Sequence, residues 1–351
     1  MTKPGTSRAR SAAEALARLV TRDALHPAVV EWADSRPKAE NWAIALSGGA
    51  DSVALLMLVW AHWPERRARL TAYHFNHQLR GRASDADQRF CMALCRALGV
   101  RLATGKWSAA KKSRTESAAR AARFAFLGPQ MATRRSRILW LGHQQDDIAE
   151  TMLMRLSRGS GAAGLAAPRP VHGLPGAGKG NGLFHVRPLL TLKKREISEA
   201  LREAGAPWRE DASNSKDEHF RNRVRKAVVP AWVETSQRDA LSGAALSREL
   251  LEEDDHALET WVASLELFDS DGSMDVARLR GRPLAVVRRA LHQWILGVEG
   301  MGDFSRQAFS NLLRSVERGT PARHSLGSHG FAVIKAGRLR FEPVRKPRSV
   351  H

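Results

Sequence analysis

Two short strings in this chain carry groups whose type and spacing suit phosphate chemistry. Ser47-Gly48-Gly49-Ala50-Asp51-Ser52 lies between a short apolar run and a long apolar segment. Paired glycines let a backbone turn tightly and approach an anion closely. The amides that open the following helix would face that anion at the positive end of the helix dipole. Ser47 and Ser52 add hydroxyl donors, and Asp51 can hold a metal ion against the phosphates. A glycine turn with a Ser or Asp helix cap is the plain structural reading. Six matching positions in a strand–loop–helix context favour nucleotide binding. The second string is His143-Gln144-Gln145-Asp146-Asp147-Ile148-Ala149-Glu150-Thr151. Positions 143, 146, 147 and 150 share one face of a starting helix. Three carboxylates and an imidazole suit either of two tasks. They supply hard oxygen ligands for magnesium, or a carboxylate that holds a cationic amine and accepts its proton.

Such groups need a scaffold, and the apolar pattern predicts one. Short strands are expected at 41–46, 70–75, 101–107 and 138–141, with helices at 53–62, 84–98, 116–127 and 146–156 between them. Alternation of this kind predicts an α/β fold, a parallel sheet with helices on both faces. Ligands then bind beyond the carboxyl ends of the strands, where both strings fall. Residues 159–182, rich in Gly, Ala and Pro, read as a long loop. Within it Gly173 to Lys179 spells the start of a Walker A loop, but Gly180 stands where Ser or Thr would bind magnesium, and the flanking strand and helix are missing. A helix is expected near 193–203. Beyond Pro230 the pattern turns helical, ending in a strand-like run at 330–342 with a hairpin turn at Ala336-Gly337. The expected organisation is a helical lead-in at 1–40, a catalytic domain at 41–230, and a mostly helical region at 231–351.

Composition narrows the partner. Of 351 residues, 56 are Lys or Arg against 36 Asp or Glu, a formal charge of +20. Such an excess calls for a polyanion, and nucleic acid is the leading candidate. Residues 101–140 concentrate it, with ten bases against Glu116 alone, whereas 249–275 holds ten acids and no base. Two cysteines, Cys91 and Cys95, exclude a disulfide scaffold and a Cys-rich zinc module; four apart in a helix, they read as small buried hydrophobes. No apolar run is long enough to cross a membrane, and no secretion signal is visible, so a cytoplasmic setting is expected.

Further polar groups fall at the same sheet edge. Tyr73 to Arg80 ends the second strand and brings His74, Asn76, His77 and Arg80 there. Glu116, Arg120 and Arg123 share a helical face, a surface ion pair in the bland reading and a phosphodiester contact in the other. Arg187-Pro188-Leu189-Leu190, then Trp208, Asp211, Ser213 and Asn214, then Arg221-Asn222-Arg223-Val224-Arg225 follow in order. Taken alone, the last of these strings reads as a basic turn.

The Ser47–Ser52 loop resembles the PP-loop of the N-type ATP pyrophosphatases, which adenylate a substrate and release pyrophosphate. Within that group the chain resembles the lysidine synthases of tRNA(Ile) over about residues 41–230. The resemblance rests on His74-x-Asn76-His77-x-Leu79-Arg80, with Phe75 in a usually aliphatic slot, and on Glu116-x-x-Ala119-Arg120-x-x-Arg123-Phe124. Its most specific part is His143-x-x-Asp146-Asp147-x-x-Glu150-Thr151, continued through Leu165. The resemblance implies ATP on Ser47, Gly48, Gly49, Ala50, Asp51 and Ser52 with His74, Asn76 and His143. It implies Mg2+ on Asp51 and Asp146, and a catalytic set of Asp51, Asp146, Asp147, Glu150 and Arg223. Free L-lysine would sit on Asp147 and Glu150. The tRNA would lie on Arg80, Arg120, Arg123 and Arg221, with residues 231–351 as a tRNA-recognition region. The implied reaction joins lysine to C2 of the wobble cytidine of a CAU anticodon. The rivals are a PP-loop tRNA thiolase, which needs reactive cysteines, a non-catalytic RNA-binding protein, and an amidotransferase acting on a free nucleotide.

Overall fold

The computed structural model describes residues 4–78, 81–107, 116–174, 182–210, 220–298 and 305–344. Helices α1 (Pro4–Leu19) and α2 (Pro27–Ser35) precede β1 (Asn41–Ala45). There follow α3 (Ala50–His62), β2 (Leu70–Asn76), α4 (Arg82–Leu98), β3 (Arg101–Lys106), α5 (Glu116–Thr133), β4 (Ser136–Trp140) and α6 (Gln145–Leu156). All four expected strands are present, within a residue or two of the expected ends. They lie in the order β3-β2-β1-β4 and are parallel.

That order decides where the site lies. The chain runs from β1 outward through β2 to β3, then returns to place β4 on the other flank of β1. The sheet therefore reverses direction between β1 and β4, and such a switch point opens a crevice at the strands' carboxyl ends. The loops leaving β1 and β4 carry the two strings that suit phosphate chemistry.

The segment read as one long loop is partly structured. It contains α7 (Ala162–Leu165) and β5 (Val171–Leu174), and β6 (Leu183–Val186) follows it. β6 pairs parallel to β4, and β5 pairs antiparallel to β6, which makes a six-stranded, mostly parallel sheet. Four-residue strands beside Gly and Pro carry too little periodicity to stand out in sequence. Gly173 belongs to β5, an antiparallel strand at the sheet edge, so the Walker-like string lacks the parallel strand such a loop requires.

Packing explains why α3 is apolar all round. Every residue from Ser52 to Trp60 is buried, because the helix is covered by the sheet on one side and by α1 and α8 (Lys194–Glu203) on the others. Trp42, Trp63 and Trp140 meet ring to ring at 4.7–5.8 Å beneath β1. Ala12, Ala13 and Leu16 of α1 and Val29 and Ala33 of α2 join this core, so the N-terminal helices pack into the same apolar cluster as the sheet.

Two compact units are found, residues 1–251 and 252–351. The first extends past the boundary expected at 230. After α9 (Phe220–Arg223), a π-helical turn (Val224–Val228) and α10 (Val229–Ser236), helix α11 (Ala240–Ser264) begins by burying Ala244 and Ala245 with Ile148, Ala149 and Leu190. That apolar contact draws residues 240–251 into the first unit. The second unit holds α12 (Leu284–Gly297), α13 (Arg306–Arg318) and an antiparallel sheet of β7 (Met274–Asp275), β10 (Arg338–Pro343), β9 (Gly330–Lys335) and β8 (Ala322–Ser325). The expected hairpin is there: Ala336 and Gly337 take positive φ of 49° and 73° between β9 and β10. It is part of a four-stranded sheet, because β7 and β8 are too short or too polar to be read alone.

The acidic run is partly neutralised inside the second unit. Asp255, fully buried, pairs with Arg289, which also meets Glu259 at 3.3 Å. Asp269 pairs with Arg338, and Asp275 with Arg278 at 3.5 Å. Residues 252–351 hold 15 Lys and Arg against 13 Asp and Glu. Almost all of the positive excess thus belongs to the first unit.

Candidate active site

The loop after β1 is shaped from within. Ser52 Oγ accepts the N–H groups of Ser47 and Gly48, both at 3.1 Å, and donates to the Gly49 carbonyl at 3.0 Å. Ser47 Oγ accepts the Gly49 N–H at 3.3 Å. The two serines thus hold the loop open before any ligand arrives. Gly48 has φ +97°, and a Cβ there would also meet Cys91 Sγ at 3.3 Å. Gly49 caps α3 without a side chain, which leaves the first-turn amides of Ala50 and Asp51 to an anion at the helix N-terminus.

A cavity of about 310 Å³ opens beside this loop, lined by Ser47, Asp51 and Ser52, by Tyr73 to His77 of β2 and its end, by Arg123 of α5, and by Gly142 and His143 after β4. Asp51 Oδ1 is buried there without a hydrogen-bond partner among the described residues. Burial first, then the nearby Asp147 carboxylate, raise the Asp51 pKa to about 6. A buried oxygen with unmet demand and rising proton affinity fits a divalent cation. Among the described residues no group of three or more ligating side chains is arranged to hold one alone. A magnesium ion at Asp51 would therefore take most of its oxygens from phosphate and water.

The loops from β1 and β4 touch at a glycine that sequence reasoning passed over. A Cβ on Gly142 would lie 2.8 Å from the Asp51 carbonyl oxygen and 3.2 Å from the Ser52 amide nitrogen. Both are backbone atoms at the start of α3, and neither can turn aside. Gly142→Ala is expected to push the two loops apart, cost about 1–3 kcal/mol of stability, and weaken ATP binding by at least about tenfold. Thermal melts and ATP titration check both effects. The sequence signal was only that a glycine follows a buried strand at the switch point.

The helix after β4 starts as expected and adds a capping box. Gln144 Oε1 accepts from the Asp146 and Asp147 amides, and Asp147 Oδ2 accepts the Gln144 N–H at 3.1 Å. This leaves the other Asp147 oxygen to Arg221. Both carboxylates are buried, Glu150 at 1% and Asp147 at 7% exposure. Arg221 donates from Nη2 to Asp147 at 2.7 Å and from Nε to Glu150 at 2.8 Å. Arg225 donates to Glu150 from Nε at 2.5 Å and from Nη2 at 3.0 Å.

The arginines of this segment divide between two places. Arg223, expected to be catalytic, turns its guanidinium over the Phe220 ring at 5.8 Å. Arg221, expected on tRNA, is part of the carboxylate cluster. The reason is helical spacing: 221 and 225 share a face, and 223 lies off it. Asp146, expected on the metal, uses Oδ2 to accept the Lys194 amide at 2.9 Å and so caps α8. The expected lysine site is likewise qualified, because Asp147 and Glu150 are already matched by two guanidinium groups. An incoming ammonium has to displace one of them.

The histidines sit at the cavity in defined states. His74 Nδ1 lies 2.9 Å from the Leu46 carbonyl, so it carries the proton, and its buried Nε2 has no partner among the described residues. Burial lowers its pKa. His143 lines the cavity and is kept neutral by burial and by Arg187, Arg221, Arg123 and Arg120 around it. His77 lies edge-on to Phe75 at 4.8 Å, and burial and Arg123 bring it down to about 4. Asn76, expected on ATP, is engaged in shaping its own loop. Its amide donates to Asp85 at 3.0 Å and Gln88 at 3.1 Å, and its oxygen accepts the Gln78 N–H at 3.0 Å.

Arg123 lies at the cavity near Phe124, with like charge from Arg120 and Arg221 around it. Arg120 stands over the other part of the same ring at 5.0 Å. Arg209 was missed: its amide donates to the Gly48 carbonyl at 2.9 Å and its Nε to Asp87 at 3.0 Å, which straps the segment after α8 onto the phosphate loop. Arg80, Asp211, Ser213 and Asn214 lie outside the described residues. Cys91 and Cys95 are free and buried on α4, and burial pushes both thiols up to about 12.

Comparison with known proteins agrees with this geometry. Residues 21–232 match the family model of the PP-loop domain. A tRNA(Ile)-lysidine synthase of Geobacter sulfurreducens is 35% identical over 77% of this chain and 57% of its own length. Those of Symbiobacterium thermophilum and Bacillus subtilis are 33% and 31% identical over 84% of this chain, and 62% and 63% of theirs. The chain spans about three fifths of the length of these curated relatives. Among solved structures, a U34-tRNA thiolase of Methanococcus maripaludis with its 4Fe–4S cluster shares the fold, at TM-score 0.51 and 16% identity over 70% of this chain and 80% of that one. The loop after β1, the cavity beside it and the matched length together show that this chain belongs to the PP-loop family.

Proposed function

We propose that the protein is a tRNA(Ile)-lysidine synthase. The observation that carries the reading is one cavity lined by an anion-binding loop, by Asp51 with its unpartnered oxygen and by His143, with a buried carboxylate–arginine cluster on the helix after His143, close enough for Asp147 and Arg225 to act on the Asp51 charge. ATP binds with its phosphates on the loop and the first turn of α3, where Asp51 would hold a magnesium ion that would offset phosphate charge. The C2 oxygen of the wobble cytidine attacks the α-phosphorus, and pyrophosphate leaves. The ε-amine of lysine then attacks C2, and AMP leaves with the oxygen. Asp147 and Glu150 hold and deprotonate that amine, since a charged amine is no nucleophile. Arg221 and Arg225 neutralise the phosphate charge that develops as AMP departs. Arg120 and Arg123, with Arg80, take the RNA backbone near the cavity. Residues 231–351 assist tRNA recognition, although the charge balance puts most of the electrostatic attraction in the first unit. With tRNA as its substrate, the enzyme works in the cytoplasm.

Mass analysis of CAU-anticodon tRNA(Ile) incubated with ATP and lysine tests this reading. A lysine-sized adduct that needs both small molecules is expected, and an unmodified tRNA would overturn it. A thiolase reading is disfavoured by the cysteines, which are buried in α4 and hold their protons far above neutral pH. A purely RNA-binding role leaves the unpartnered Asp51 oxygen without purpose.

A further inference from the structure

Arg187 follows β6 and is buried, yet among the described residues its guanidinium engages no carboxylate in a close ion pair. Its Nη1 donates to the Arg169 carbonyl at 2.6 Å, and its Nε donates to His143 Nδ1 at 3.1 Å. A guanidinium has donors only. His143 Nδ1 must therefore offer its lone pair, which leaves the ring proton on Nε2. The neighbouring cavity histidine is set the opposite way: a carbonyl faces His74 Nδ1, so the proton is there and Nε2 accepts. A main-chain and a side-chain partner thus write two different tautomers onto the cavity wall.

We propose that Arg187 is a positioning residue that fixes His143 as the neutral Nε2–H tautomer, a hydrogen-bond donor presented to the bound nucleotide. Arg187 after β6 touches the ring, and the charges of Arg221 on α9 and of Arg123 and Arg120 on α5 act on it in the same sense. All four are cationic and oppose a second ring proton, while Asp51 shares the cavity wall. The site gains a donor that neither releases a proton nor adds a full charge beside the reacting phosphate. A lysine or arginine in its place would bind triphosphate and the departing pyrophosphate alike, whereas a neutral donor holds position without tightening product.

This inference rests on the cavity being a nucleotide site, and the test separates the two. Histidines in the full chain are labelled with heavy nitrogen, and His143 is assigned by loss of its signal in His143→Gln. The wild-type protein is expected to show His143 neutral with Nε2 protonated at neutral pH, and His74 with Nδ1 protonated. Arg187→Met is expected to convert His143 to mixed tautomers or imidazolium and to weaken ATP binding by about tenfold, the worth of one hydrogen bond. Arg187→Lys, which keeps a cationic donor, is expected to retain the Nε2–H signal. A wild-type His143 protonated on Nδ1, or as imidazolium, overturns the inference, as does a folded Arg187→Met protein with an unchanged His143 signal. Should Arg187→Met not fold, the wild-type signal alone decides. ATP titration on the same samples reads the other question: no ATP binding by the wild-type protein would overturn the proposed function and leave the tautomer result standing.

Discussion

Asp51→Asn is expected to stabilise the nucleotide-free protein at neutral pH while abolishing pyrophosphate release. The Asp51 carboxyl titrates near 6 in the fold against 3.8 for an ordinary aspartate. Between those values the folded state holds the proton more tightly than the unfolded chain, so this group makes stability rise as pH falls through the window. Above pH 6 the ionised group disfavours folding by at most about 3 kcal/mol, since each tenfold change in proton affinity is worth about 1.36 kcal/mol. Asparagine removes the charge and keeps the shape. The variant's advantage is expected to be full at neutral pH, to shrink below about pH 6, and to vanish near pH 4. Denaturant melts of both proteins across that range measure it. Equal stability at neutral pH would show that Asp51 is not strained by burial. The same variant loses the oxygen placed to hold the cation, so gain of stability and loss of function come from one atom, a trade common at active sites.

Glu150→Gln is expected to act with the opposite sign on stability. Glu150 is almost wholly buried and receives donors from both Arg221 and Arg225. Removing one member of a buried ion cluster leaves the others without compensation, at about 3–5 kcal/mol for fully buried partners. The two arginines are 28% and 31% exposed, so water relieves part of this, and a loss of about 2 kcal/mol is expected. In the reaction the variant is expected to retain pyrophosphate release, since Asp51 and the loop are intact. Lysine incorporation is expected to fall by at least about a hundredfold, the lower range for loss of a general base. Labelled lysine and pyrophosphate, counted in one assay, separate the two steps. Equal loss of both would place Glu150 in the first step. Two carboxylates at one site thus have opposite stability effects, because one is buried without a partner and the other with two.

Much of the architecture is legible in the sequence. Apolar runs at β1, β2 and β4 mark buried parallel strands, since a strand covered on both faces has little choice but Val, Ile, Leu, Ala or Trp. The Ser47–Ser52 loop is legible because tight turning and close anion approach restrict the residue types locally. The carboxylate helix is legible because 3.6-residue spacing places 143, 146, 147 and 150 together wherever that helix sits. β5 and β6 are not legible, being four residues each and beside Gly- and Pro-rich sequence.

The phosphate loop and the acidic helix are properties of the sequence, because each depends on neighbours within a few residues. Partner choice is different. Arg221 and Arg225 rather than Arg223 meet Glu150, Asp146 caps α8, and Gly142 admits the start of α3, all through contacts between segments far apart in the chain. Only the reversal of the sheet between β1 and β4 brings those segments within reach. Which side chain then satisfies which charge follows from burial and distance, and local pattern carries no information about either.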